Sequence, residues 1–118
     1  MVRIERIILR VSHLEDSIEF WTGKVGLELA GRGGAFAFVD GGGVQLTLNE
    51  VEQRPDDSSL TEIVLGADDV RASYDELADR GVAFEIELRP VTSDGNHELW
   101  AAHFRDPDGH LASITGWI

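Results

Sequence analysis

The chain contains no cysteine. A disulfide framework, a zinc-thiolate site and a thiol nucleophile are thereby excluded. Basic residues are scarce: Lys and Arg total 10 against 22 Asp and Glu, a formal net charge of −12. So acidic a surface repels phosphate backbones, which argues against a nucleic-acid partner. It attracts cations and favours solubility. No apolar run approaches the roughly 20 residues of a membrane span, so no membrane partner is expected. The opening residues Met1-Val2-Arg3-Ile4-Glu5-Arg6 lack the apolar core of a signal peptide. The expected location is the cytoplasm.

What is present reads as a single domain of ordinary globular composition: 118 residues, 42% hydrophobic and 27% charged. Residues 4–11 are rich in β-branched and aliphatic side chains and predict a strand. Ser12 and Glu15 fit a capping box opening a helix to about residue 22, with Leu14, Ile18 and Trp21 on its buried face. Gly23 and Gly26 are expected to end it. Short strands follow at 27–30, 35–39 and 44–49, separated by two glycine-rich loops. Residues 51–59 are polar and read as a linker. The pattern then restarts with a strand at 60–67, a helix capped by Asp68 or Asp69 and stopped by Gly81, and strands at 82–88, 98–105 and 110–115. Asp106-Pro107-Asp108-Gly109 is a turn signal between the last two.

The restart is an internal repeat. A shift of 56 positions places Ile7 on Ile63, Leu9 on Leu65, Leu14 on Val70 and Ser17 on Ser73. A shift of 66 places Phe38 on Phe104, Asp40 on Asp106 and Thr47 on Ser113. Each half reads β-α-β-β-β, module one over about 1–50 and module two over about 60–118. The expected fold is α+β, two modules forming a curved mixed sheet around a cleft.

Side chains alternate along a strand. If Ile7, Leu9 and Val11 face the helix, Arg6, Ile8 and Arg10 face the cleft. In the second module Glu62 and Val64 do the same. Arg6 and Glu62 are thus repeat-equivalent, as are Thr47 and Ser113. Arg6 and Glu62 can form a salt bridge, or recognise an acidic or carbonyl group and an amine respectively. Trp100 and Trp117 lie on late strands and offer flat stacking surfaces, as do Phe36 and Phe38. His103 falls within a strand and can line the pocket as a donor or base. His13 and His110 read as surface residues, and His97 precedes a strand.

The segments Ile8-Leu9-Arg10-Val11 to Phe20-Trp21, Gly26-Leu27-Glu28-Leu29, Ala67-Asp68-Asp69-Val70 to Leu77-Ala78-Asp79-Arg80-Gly81-Val82, and Phe104-Arg105-Asp106-Pro107-Asp108-Gly109-His110-Leu111 resemble the vicinal oxygen chelate superfamily, the glyoxalase/bleomycin-resistance/dioxygenase family. The family's metal enzymes take one ligand from each of four strand positions. Carried over, those positions hold Arg6, Thr47, Glu62 and Ser113, of which only Glu62 is an ordinary ligand for a hard divalent ion. The resemblance therefore implies the family's metal-free, drug-binding members: no metal, no cofactor, a small-molecule ligand and a homodimer. Arg6, Ile8, Thr47, Glu62, Trp100, His103, Ser113 and Trp117 are the expected ligand-binding residues. The alternative is a lyase, isomerase or dioxygenase with a displaced metal site or a metal-free acid/base mechanism, for which Glu62 and His103 are the catalytic candidates.

Overall fold

The computed structural model describes Met1 and residues 4–52 and 61–118. Most of the expected linker lies outside the described residues. The chain divides into two compact units, Met1–Asp57 and Ser58–Ile118. Each is a β-α-β-β-β module with its own four-stranded mixed sheet, and the fold is α+β.

Module one runs β1 (Arg6–Val11), α1 (Leu14–Ile18) with a π-helical continuation over Glu19–Lys24, β2 (Glu28–Gly33), β3 (Phe36–Asp40) and β4 (Gln45–Glu50). The sheet order is β1-β4-β3-β2. Strands β1 and β4 are parallel, and the remaining pairs are antiparallel. Leu9 and Val11 of β1, Ala37 and Val39 of β3 and Leu46 and Leu48 of β4 are buried, together with Leu14, Phe20 and Trp21 of the helical segment. This is the alternation that one covered sheet face requires.

The helical segment departs from expectation in two ways. The residue capping α1 is His13, with no side-chain cap bond, rather than Ser12. The Leu14 N–H is instead satisfied by Glu50 Oε2 at 2.8 Å, and Glu15 pairs with Arg32 at 2.5 Å. The expected stop at Gly23 is overrun: Val25 N–H bonds the Phe20 carbonyl five residues back, at 3.0 Å. That wider turn rotates the face it presents. Ser17, at the ordinary helical spacing from Leu14, and Phe20 are buried, and Ile18 is only half-buried. The chain leaves the segment through Gly26 at φ 96°, a value suited to glycine.

Module two runs β5 (Glu62–Gly66), α2 (Val70–Asp79), β6 (Phe84–Ser93), β7 (Glu98–Arg105) and β8 (Leu111–Trp117), with sheet order β5-β8-β7-β6. Again the first and last strands are parallel and the rest antiparallel. Asp69 caps α2, its carboxylate accepting from Ala72 N–H at 3.1 Å. Val70, Leu77, Val82, Ala102, Phe104, Ala112 and Ile114 are buried. Helix α2 passes so close to β8 that a Cβ on Gly116 would lie 2.7 Å from Val70 Cβ and 2.8 Å from the Ala67 carbonyl.

Strand β6 is longer than the sequence predicts, reaching Ser93 through Arg89 and Pro90. It is an edge strand with register shifts on both sides of Arg89-Pro90. An edge position and bulges are where a sheet tolerates proline, which has no N–H to give the ladder. Strand β2 likewise extends through Gly33, past the expected loop start, with a register shift between Leu29 and Gly31.

Candidate functional site

In module two, register decides which side chains meet. Val64, Ser113, His103 and Ile86 form one row across the four strands. Glu62, two residues from Val64, shares their face, which points away from α2. The neighbouring residues Ile63, Leu65, Ala112 and Phe104 take the helix side.

Three polar groups of this face converge. The Ser113 hydroxyl donates to Glu62 Oε2 at 2.7 Å. His103 Nε2 stands 3.7 Å from the same oxygen. The other ring nitrogen, His103 Nδ1, lies 3.5 Å from Arg89 Nη1, which also donates to the Ala101 carbonyl at 3.3 Å. A guanidinium can only donate, so a hydrogen bond across this contact has Nδ1 as its acceptor and turns the Nε2 side of the ring to Glu62. Ser113 is fully buried, while the His103 and Glu62 side chains keep 17% and 33% exposure. Both contacts of Glu62 fall on Oε2, so Oε1 has no partner among the described residues and can accept from a ligand.

In module one, Ile8, Thr47 and Phe38 form the corresponding row, flanked by Arg6 and Gln45. Thr47 is buried and donates to Gln45 Oε1 at 3.1 Å. Ile8 is exposed. Phe36 and Phe38 stack in parallel with centroids 6.4 Å apart. Arg6 pairs with its neighbour Glu5 at 3.3 Å, with both side chains largely exposed. Arg6 and Glu62 thus each find partners inside their own modules.

The two tryptophans separate. Trp117 lies two residues from Thr115 on the Ser113 face and is 52% exposed. Trp100 pairs with Gly116 and takes the opposite face, a correction to its expected place beside the others. There Arg71 Cζ sits 4.7 Å from its ring centroid, in a groove also lined by Tyr74, Asp75, Glu87 and Leu88. The side of the sheet follows from the turn. Phe38 and Thr47 face each other nine residues apart, whereas Ser113 faces His103, ten residues away. The β7–β8 connection is one residue longer, so His103, not Phe104, is the counterpart of Phe38.

The remaining histidines stand elsewhere. His13 precedes α1. The His97 N–H donates to Asp94 Oδ1 in the β6–β7 turn. His110 Nδ1 lies 2.7 Å from the buried Asp106 carboxylate. Arg89 is the residue that sequence reasoning missed, because Pro90 marks its segment as a break. The available signal was the alternation Phe84-Glu85-Ile86-Glu87-Leu88-Arg89, which carries a strand pattern up to Arg89.

The family-type ligand positions can be tested against these contacts. Module two offers one carboxylate, one hydroxyl and one imidazole, with a guanidinium against the imidazole; module one offers Arg6 and a threonine. A hard divalent ion calls for several anionic or carbonyl oxygens, and an adjacent cation opposes it. Among the described residues no three His, Asp or Glu side chains gather as a metal site. The donor set does not fit a resident family-type metal. Among the same residues no helix is long and apolar enough to cross a membrane.

Comparison with known proteins extends these findings. The chain is 29% identical over 116 residues to metallothiol transferase FosB of Lysinibacillus sphaericus, covering 91% of this chain and 77% of that protein. It is 29% identical over 125 residues to a probable lactoylglutathione lyase of Vibrio parahaemolyticus, covering 95% and 88%. Among solved structures it resembles TnmS3, an antibiotic binding protein from Streptomyces sp. CB03234, with TM-score 0.75, 25% identity and coverage of 98% and 96%. Residues 3–114 match the glyoxalase/bleomycin resistance protein/dioxygenase superfamily, and the chain belongs to that family.

Proposed function

We propose that this protein binds a small molecule without a metal, in the manner of the drug-sequestering members of its family, and takes a hydrophobic, aromatic or cationic compound. The observation that carries the reading is Glu62: the one ordinary ligand residue of the family-type set is engaged by Ser113 through Oε2 and keeps Oε1 free to accept from an N–H or ammonium group. The net charge of −12 draws cations towards it. Trp117, exposed on the Ser113 face of the same module, supplies aromatic surface. The likeness to an antibiotic binding protein supports the same reading. The protein acts in the cytoplasm as a homodimer.

The second reading is a lyase, isomerase or dioxygenase, supported by the relatives named as a transferase and a lyase and by the Glu62–His103 approach of 3.7 Å. Metal-free acid/base work would then fall to these two groups.

Calorimetric titration with proflavine, a planar aromatic cation, separates the readings. Saturable binding that weakens about tenfold in Glu62→Gln, with no change in the ligand after prolonged incubation, is expected. Turnover of the carbonyl and thiol substrates of family enzymes, lost in Glu62→Gln, would establish the second.

A further inference from the structure

Arg89 is a half-buried cation without a counter-ion among the described residues. The protein carries 22 acidic residues, yet among the described residues no carboxylate pairs with this guanidinium. Its partners are the Ala101 carbonyl at 3.3 Å and His103 Nδ1 at 3.5 Å, both reached by Nη1 alone. Nε and Nη2 have no acceptor among the described residues. By contrast Arg6, Arg32, Arg80 and Arg105 have carboxylate partners, and Arg10 and Arg71, which have none among the described residues, are exposed to water. Removing a charge from water is costly unless it is paired, and a guanidinium fork matches a planar carboxylate. The strand itself supports the placement. Register shifts flank Arg89-Pro90, and irregular pairing of this kind re-aims side chains at sheet edges.

We infer that Arg89 is an anchor for a carboxylate group, and that the ligand of this face carries both a carboxylate and an N–H or ammonium group. This rests on the binding reading above and extends it. Glu62 and Arg89 flank the His103 ring, 3.7 Å from one nitrogen and 3.5 Å from the other. The site therefore has a carboxylate at one end, a flat imidazole in the middle and a guanidinium at the other end. A molecule with its own charges at opposite ends of a planar ring matches that order. The overall charge selects the same class, because a net charge of −12 repels a simple anion at long range but not a zwitterion.

Three probes test this by calorimetry or by amide chemical shifts: 4-(aminomethyl)benzoic acid, benzylamine and benzoic acid. The zwitterion is expected to bind about tenfold more tightly than benzylamine, the worth of one charge-assisted pair. Arg89→Met should abolish the zwitterion's advantage over benzylamine. Arg89→Lys, which keeps the charge but not the fork, should retain part of the gain and guards against a folding defect. Equal affinities for the two amines in the unmodified protein, with benzylamine binding lost in Glu62→Gln, would overturn the Arg89 assignment and leave the binding reading standing. No binding of any probe would overturn both. A zwitterion preference that persists in Arg89→Met would place the carboxylate elsewhere and overturn the assignment.

Discussion

Ser113 donates its hydroxyl proton to Glu62 across 2.7 Å from a fully buried position. The bond fixes one oxygen of the carboxylate and leaves the other for a ligand. Ser113→Ala is expected to cost about 1 kcal/mol of stability, less than a fully buried charged bond because Glu62 is one-third exposed. It should also weaken amine binding by freeing the Glu62 rotamer. Urea unfolding and probe titration of the same variant check both. Unchanged probe affinity would mean that the bond does not orient the site.

Asp69 caps α2 through the Ala72 N–H. Asp69→Ala should cost about 1 kcal/mol, and Asp69→Asn much less, because the amide oxygen can still accept. Urea unfolding of the pair gives the comparison directly.

Gly116 has no room for a side chain, with Val70 Cβ and the Ala67 carbonyl both under 3 Å from a Cβ built there. Gly116→Ala should destabilise module two by about 1–3 kcal/mol through overpacking. Because Gly116 pairs with Trp100, the variant should also shift Trp100 fluorescence. A neutral result would show that α2 can move off β8.

Asp94 is held below the usual carboxylate range, chiefly by the His97 N–H and then by the Asn96 N–H. Since the folded value is the lower one, the turn's contribution to stability is present above the unfolded pKa and is lost as pH falls through the folded value. Amide exchange at Asn96 and His97 should therefore stay protected through pH 4 (about the unperturbed carboxylate value) and be lost only at more acid pH. Loss of protection at the ordinary aspartate pKa would contradict the bonds.

Much of this arrangement is legible in the residues alone. The alternation around Leu9 and Val11 places Ile8 on the face away from the helix, and the repeat predicts both modules. Three local features are not legible. The π-turn after Ile18 buries Phe20 beside Trp21, and no hydrophobic spacing announces it. The extra residue between β7 and β8 turns Trp100 to the helix and His103 to the opposite side, because a strand's period of two amplifies a single insertion. Pro90 reads as a break, yet an edge strand accommodates it, and Arg89 is hidden with it. Tertiary pairing, which the chain alone does not display, decides each case.

Binding at Glu62 is proposed to need no metal. The direct measurement is a calorimetric titration with 4-(aminomethyl)benzoic acid on untagged protein before and after exhaustive chelation, with metal content followed by elemental mass spectrometry. The expected result is the same affinity in both preparations and no stoichiometric divalent ion in either. Binding that disappears on chelation and returns with one equivalent of a divalent ion would contradict it.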